Sequence, residues 1–453
     1  MKRIGFIAMS GVRAHNEELT KLGLTLPGFV ERNKQIASLP SLGLLTLAGL
    51  TPRDRFEVEY HEIADLRKLP ELPVDFDLVA ISTFTAQFYE ACDVADHYRR
   101  RGVPVVMGGI TVSALPEQTR EHDVSVVLGE GEPLWPEVLR DLERGGLKPI
   151  YASSAPGQFD LAHAPMPRFD LLDPEQYNRI TVQTSRGCPH RCEFCASSIL
   201  LTTRYKVKPV EKVIAEIREI KKIWPRPFIE FADDNSFVHR EHYKRLLREL
   251  AKENLRWFTE TDVRVADDDE LLGLMRDAGC QQVLIGLESP HRTSLAGIEL
   301  KHDWKARQQD YYREAITRIQ SYGITVNGCF IVGLDPDTPE VFDEVLRFVR
   351  DSGLYEVQVT FPTAFPGTPY YERLKREHRI IRDKAWELCT LFDINIRPKN
   401  MSVAELQAGF LKLVKQLYSE DETSQRRRQF RRRLKSSINF GRRAAAEADL
   451  LAA

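Results

Sequence analysis

Three closely spaced cysteines carry the strongest chemical signal in this chain. Cys188, Cys192 and Cys195 stand at CxxxCxxC spacing in the run Thr184-Ser185-Arg186-Gly187-Cys188-Pro189-His190-Arg191-Cys192-Glu193-Phe194-Cys195. Thiolates this close suit an iron–sulfur cluster, whose irons are normally each held by a cysteine. The remaining cysteines, Cys92, Cys280, Cys329 and Cys389, are distant in sequence. A four-iron cluster on three protein ligands keeps one iron open, and an open metal position is where chemistry happens. The competing assignments are a structural zinc site and chance. Zinc sites usually bring a fourth Cys or His at CxxC-type spacing, and His190 sits inside the loop, badly placed to close a tetrahedron.

The flanking sequence sets out the elements that must position this loop. Over residues 1–150, Arg3–Met9, Phe56–Tyr60, Asp77–Ser82, Val103–Gly109 and Val124–Gly129 read as strands, with helices over Ser41–Leu50 and Tyr89–Arg101. Strands alternating with helices predict a parallel, doubly wound sheet. Ligands of such sheets bind at the C-terminal strand ends, here Ser82, Gly108-Gly109 and Gly129-Glu130-Gly131. Residues 151–178 are rich in Pro, Ala and Asp without a period and read as a linker. A second alternation follows. Strands are expected at Ile180–Thr184, Phe228–Asp234, Arg256–Thr261, Gln282–Glu288, Val326–Gly333 and Val357–Phe361, with a helix over Val210–Ile223 behind Pro209. Six strands with intervening helices fit a partial parallel barrel over 179–375, whose mouth would gather the polar strand ends. Residues 376–453 read as a mostly helical extension.

Composition narrows the class. The 453 residues predict two or three domains, and 42% hydrophobic content supports sizeable cores. Seven cysteines, three of them clustered, do not form a disulfide scaffold. No run approaches the roughly 20 apolar residues of a membrane span, and the N-terminus does not read as a signal peptide. A cytoplasmic protein is expected, where a reduced cluster survives. The net charge is −2, but residues 424–443 hold nine Lys/Arg and no acid, which leaves 55 basic against 64 acidic residues over 1–423. A basic tail on an acidic body suggests contact with an anionic surface. Phe430, Leu434 and Ile438 recur every four residues, so a helix there could lie on an anionic membrane or dock on the body.

The cysteine run resembles the cluster loop of the radical S-adenosylmethionine (radical SAM) superfamily, down to the aromatic residue before the last cysteine. The resemblance implies a 4Fe-4S cluster on Cys188, Cys192 and Cys195, with SAM on the open iron. It places Phe194 against adenine and Asp233 and Asp234 at the SAM ammonium. It further implies that Thr261 belongs to the SAM site with Arg264, which would pair with the SAM carboxylate, that Glu288 or Ser289 holds ribose hydroxyls, and that Gly333 ends a strand passing close to adenine. The first 150 residues resemble the Rossmann-like cobalamin-binding domain found before many radical SAM barrels. The carrying runs are Leu39–Leu45, Ile81–Thr85, Val106–Glu117 and Val127–Glu132. Ser82, Thr83, Thr85, Gly108, Gly109, Thr111, Gly129, Glu130 and Gly131 are the implied cobalamin-binding residues. Two departures stand out. Ile110-Thr111 replaces the family's usual Pro-His, and the DxHxxG signature that supplies a cobalt-binding histidine elsewhere is absent around His15. No protein histidine is therefore expected at cobalt. The run Phe361–Leu374 and its extension are similar to radical SAM proteins that include hopanoid methylases.

The implied activity is cleavage of SAM to a 5′-deoxyadenosyl radical, hydrogen abstraction from an unactivated carbon of a small or lipid-like molecule, and methyl transfer from methylcobalamin. An electron donor such as a flavodoxin or ferredoxin is implied, and no nucleic-acid partner. The alternatives are a cobalamin-dependent cyclisation, ring contraction or rearrangement without methylation, and a non-catalytic sensor that binds cobalamin and a cluster. The sequence names no catalytic side chain.

Overall fold

The protein was analysed as a computed structural model that describes residues 1–25, 39–69, 71–202 and 204–435. Its strands form parallel sheets and one two-stranded antiparallel ribbon. The contacts divide the chain into two compact units. Among the described residues the first holds 1–20, 39–234 and 362–397, and the second holds chiefly 235–361 and 398–435.

In the first unit, β1 (Lys2–Met9), β2 (Phe56–Ile63), β3 (Leu78–Thr83), β4 (Val105–Gly108), β5 (Ser125–Leu128) and β6 (Ile150–Ala152) run parallel in the order β2-β1-β3-β4-β5-β6. The order reverses at β1, the doubly wound arrangement the alternation predicts. Successive side chains of a strand point to opposite faces, and the cores show it. Phe6, Leu78, Ala80, Val106 and Val127 pack on one face with Leu44, Ala48 and Trp135. Ile7, Val79, Ile81, Met107 and Val126 pack on the other with Ala91, Val94 and Tyr98. Strand β6 begins at the edge of the expected linker, which otherwise runs through three short 3-10 turns. Three residues are too few for a period to reveal.

The remaining parallel strands are divided between the two units. Strands β7 (Ile180–Val182) and β10 (Phe228–Phe231) pair in parallel in the first unit. The second unit holds β11 (Arg256–Thr261), β12 (Cys280–Glu288), β13 (Thr325–Ile331) and β14 (Glu356–Thr360), also parallel. Behind them Phe330 meets Phe348 at 5.7 Å, and Phe361 meets Phe410 at 4.1 Å. The extension is less helical than expected. Helices span Val403–Leu417 and 420–435, but 377–402 is largely irregular, with one turn at Trp386–Leu388 and a bridge between Ile380 and Ile396.

The tail helix docks on its own unit. Phe430 is buried against Tyr355 at 5.1 Å, and Arg426, also buried, donates to the Leu417 carbonyl at 2.7 Å. Its apolar face is therefore covered by protein as far as it is described, and Ile438 lies outside the described residues. No helix among the described residues is long and apolar enough to cross a membrane.

Candidate active site and cofactor cavity

The cysteine loop is an excursion with a defined stem. Strand β7 leads into β8 (Ser185–Arg186), which pairs antiparallel with β9 (Lys206–Val207) and so closes the base of the loop. Between them Cys188 and Cys195 are half-buried and Cys192 is buried. The Cys195 amide donates to the Cys192 carbonyl at 3.1 Å. Gly187 has φ +92°, and a Cβ there would stand 2.4 Å from the Arg204 carbonyl oxygen. Only glycine fits this left-handed, crowded entry. Among the described residues no three of His, Cys, Asp and Glu converge as they would on a single metal ion. A cluster asks for a different arrangement, with each thiolate on its own iron.

Two strand-end carboxylates brace this loop. Asp233 is buried and accepts from the Thr184 amide at 2.7 Å, the Ser185 amide at 2.8 Å and the Thr184 hydroxyl. Asp234 accepts from the Gly187 amide at 2.7 Å and from the Ser197 hydroxyl. Amides and hydroxyls of the loop's own chain satisfy Asp233, which makes it a brace. Phe194 is likewise committed to protein. It packs half-buried against a cluster containing Phe88, Tyr370 and Trp386, whereas an adenine contact was expected. The preceding Glu193 is gripped by the helix Pro369–Arg376. Arg373 donates to its carboxylate at 2.7 and 3.2 Å, and the Tyr370 amide donates to its carbonyl at 3.1 Å.

A cavity of about 210 Å³ opens beside the strand ends of the first sheet. Ser82, Gly108, Gly109, Gly129, Glu130 and Gly131 line it, and Gly43, Glu132, Gln183 and Arg186 join them. Thr83, Thr85 and Thr111 do not line it. The Thr111 hydroxyl donates to the Thr83 carbonyl at 3.1 Å and meets the Thr85 hydroxyl at 3.1 Å, so these threonines tie the end of β3 to the short helix Ile110–Ala114. Glu130 also has a different task from the one expected. Its buried carboxylate accepts from Arg186 at 2.8 Å, from the Phe159 amide at 2.9 Å and from Lys206. Burial pushes this carboxyl up, but Lys206, the Phe159 amide and Arg186 outweigh it and hold it below the usual carboxylate value.

The cavity fits part of a large planar group. A Cβ added at Gly43 or Gly129 would meet nothing within 4 Å, so the cradle is space that side chains there would fill. At about 210 Å³ it is smaller than a pocket for a drug-sized molecule, so it would hold only part of such a group. No histidine is among the described residues that line it. His15 lies elsewhere, its amide donating to Asp393 at 2.9 Å.

The strand ends of the second unit hold one another. Glu288 has φ +61° at a register shift in the β12–β13 pairing, and its carboxylate accepts from Lys305 at 2.6 Å. Ser289 is buried and its hydroxyl accepts from the His291 amide at 3.1 Å. The Thr261 hydroxyl donates to the Ser236 carbonyl at 3.0 Å. Arg264 is exposed, 3.9 Å from Asp267, so the carboxylate partner expected for it is supplied by its own turn. Gly333 has φ +101°, and a Cβ would strike Leu406 at 2.9 Å, a packing reason for this glycine independent of any adenine. Three cysteines outside the loop, Cys92, Cys280 and Cys389, are buried. Burial pushes the thiols of Cys92 and Cys389 up to about 12 and raises that of Cys280 further.

Arg186, Glu132, Lys206, Glu193 and Arg373 were not singled out from sequence. Arg186 and Glu132 stand inside the motifs already quoted, and their charges were the available signal. Lys206 and Arg373 gain meaning only from chain pairing.

With this geometry in hand, the chain was compared with known proteins. Residues 182–349 match the family described as the Radical SAM superfamily, residues 37–139 the B12 binding domain, and residues 368–451 a domain of unknown function. The chain is 26% identical to the bacteriochlorophyllide d C-12(1)-methyltransferase of Chlorobaculum tepidum, over 84% of this chain and 83% of that protein. It is 28% identical to the hopanoid C-2 methylase of Rhodopseudomonas palustris, over 77% of this chain and 66% of that protein. In fold it is like the radical S-adenosylmethionine methyltransferase TsrM from Kitasatospora setae, solved with cobalamin and a 4Fe-4S cluster. The TM-score is 0.61 at 17% identity, covering 84% of this chain and 76% of that one.

Proposed function

Because this chain is a radical SAM protein with a B12-binding domain, we propose that it is a C-methyltransferase acting on an unactivated carbon of a small or lipid-like molecule. Its cofactors are a 4Fe-4S cluster, SAM and cobalamin. When bound, these supply an electron that cleaves SAM, a 5′-deoxyadenosyl radical that removes hydrogen from the substrate, and a methyl group for the resulting carbon radical. Cofactors of this kind carry the hard chemistry, and the protein binds, orients and shields them.

In this reading Cys188, Cys192 and Cys195 hold the cluster, and Asp233 fixes the strand that delivers them. Asp234 fixes the turn at Gly187. Ser82, Gly108, Gly109 and Gly129 admit the cobalamin, and Glu288 or Ser289 holds the SAM ribose hydroxyls. A flavodoxin or ferredoxin supplies electrons, and the protein works in the cytoplasm, where a reduced cluster survives. If the substrate is a lipid, the tail meets its membrane by charge, through the exposed Arg428 and Arg431, without inserting the buried Phe430.

The observation that carries the reading is the union, in one compact unit, of a braced CxxxCxxC loop and a glycine-edged cavity at parallel strand ends. The test is to reconstitute the protein anaerobically with iron, sulfide and hydroxocobalamin and to compare metabolites of cells with and without it. A product heavier by one CH₂, with about two SAM consumed per turnover, is expected. A product of unchanged carbon count would move the assignment to cyclisation or rearrangement. Failure of the reduced protein to cleave SAM would favour a sensor.

A further inference from the structure

The stem of the cysteine loop contains an arrangement that local pairing alone would not tolerate. Arg186 and Lys206 are directly opposed across the two-stranded ribbon, and like charges in that relation destabilise a pair of strands. Both are largely withdrawn from water, each with 14% of its side chain exposed. Their countercharges come from outside the ribbon, from the loop after β5. Glu130 bridges the two cations, bonding Arg186 at 2.8 Å and contacting Lys206, and Glu132 takes the other arm of Arg186 at 2.5 Å. The two carboxylates are 3% and 8% exposed. Two buried cations are thus balanced by two buried anions, and the pairs cross from the cysteine-loop stem to the end of the first sheet. A buried pair that loses one member leaves an uncompensated charge, which costs far more than the intact pair contributes.

The same residues form a wall of the cofactor cavity. Glu130, Glu132 and Arg186 line it, together with Gln183, which accepts from Arg186 at 2.9 Å. Arg186 stands two residues before Cys188. A group entering the cavity touches the network that sets the base of the cysteine loop, and a loop drawn tight around a cluster pulls on the same wall.

We propose that Arg186 is a positioning residue that couples the two cofactor sites, so that cluster assembly and occupancy of the cavity favour each other through the Arg186–Glu130–Glu132–Lys206 network. The inference rests on the cofactor reading above. Coupling between two sites is reciprocal, so it is measured from either side.

The test uses the full chain, with and without its cluster, and hydroxocobalamin as the probe. Dissociation constants are measured anaerobically by absorbance titration. In the wild type, cluster loading tightens hydroxocobalamin binding about tenfold, within the usual range of such couplings. In Arg186→Gln the ratio of the two constants falls to about one. Arg186→Lys, which keeps the charge but loses the forked geometry, gives an intermediate ratio. A residue that merely held the fold together would weaken both constants alike and leave their ratio unchanged. Should Arg186→Gln fail to fold by circular dichroism, Glu132→Gln, which keeps the Glu130 bridge, and the double variant Glu130→Gln/Lys206→Met, which removes one charge of each sign, carry the same test. A wild-type ratio within twofold of one, or an undiminished ratio in the folded variants, overturns the proposal. Absence of hydroxocobalamin binding in the wild type overturns the cofactor reading as well, which separates the two failures.

Discussion

The two parallel sheets end differently. At the ends of β4 and β5 the chain removes side chains. Gly108, Gly109, Gly129 and Gly131 leave backbone around an open cavity, and the charges nearby are drawn into one network with the cysteine-loop stem. At the ends of β11 and β12 the chain presents polar side chains, and each finds a partner within its own unit. Glu288 is held by Lys305, the Thr261 hydroxyl by a carbonyl, and Ser289 by the His291 amide. Space at a strand end comes from the absence of side chains, whereas polar side chains at a strand end are first satisfied by one another. The first kind of site is visible without its ligand and the second is not.

The largest effect should come from the brace that serves the cysteine loop. Asp233→Ala leaves two buried amides and a hydroxyl without their acceptor. Stranded buried donors cost about 1–3 kcal/mol each. Denaturant unfolding should show a loss of at least about 3 kcal/mol, and reconstituted iron per chain should fall to a small fraction of the wild type. Undiminished iron loading with normal stability would show that the loop does not depend on this carboxylate.

Filling the cavity should separate the two cofactors. Gly43 lies within the helix Leu42–Leu50, where a non-glycine residue is helix-favouring by up to about 1 kcal/mol, and its missing Cβ faces open space. Gly43→Phe should keep or raise the thermal midpoint and keep iron loading, while hydroxocobalamin affinity drops by at least about tenfold, the penalty for overpacking a formed site. Full affinity in this variant would move cobalamin away from the cavity.

The charged network predicts a dependence on acid. Glu130 is held below its ordinary value of 4.5 by Lys206, the Phe159 amide and Arg186, against the opposing effect of burial. A carboxylate with a depressed folded value stabilises fully above its unfolded value, and that stability is lost as pH falls through the folded one. The urea midpoint should therefore hold from pH 7 to about 5 and drop below about 4.5, with a shallower drop in Glu130→Gln. An identical profile in the variant would remove Glu130 from the account.

The smallest effect concerns the tail. Truncation after Asp421 removes buried Arg426 and Phe430 and should lower the thermal midpoint, with co-sedimentation on anionic liposomes reduced only at low salt. Liposome binding that survives high salt and vanishes on truncation would restore an inserting helix.

Much of the architecture was legible because its signals are local and repeated. The apolar runs Arg3–Met9 and Asp77–Ser82 and the helix behind Pro209 appear nearly as read. The cysteine triplet was legible for the same reason, since its three ligands lie within eight residues. What sequence could not show is pairing at a distance. The opposition of Arg186 and Lys206 depends on a ribbon of two-residue strands too short to carry a pattern. The diversion of Thr83, Thr85 and Thr111 into contacts with one another depends on the end of β3 meeting the helix Ile110–Ala114. Phe430 and Leu434 carried an amphipathic pattern, but a pattern names a face and not what covers it.

The central claim is that Cys188, Cys192 and Cys195 hold a cluster that cleaves SAM. The direct measurement is anaerobic formation of 5′-deoxyadenosine from SAM under chemical reduction, alongside iron content, for the wild type and for the variant with all three replaced by Ala. The account predicts close to four irons per chain with steady 5′-deoxyadenosine formation in the wild type, and neither in the variant. A variant that keeps a full cluster, or a wild type that holds the cluster and releases no 5′-deoxyadenosine, would contradict it.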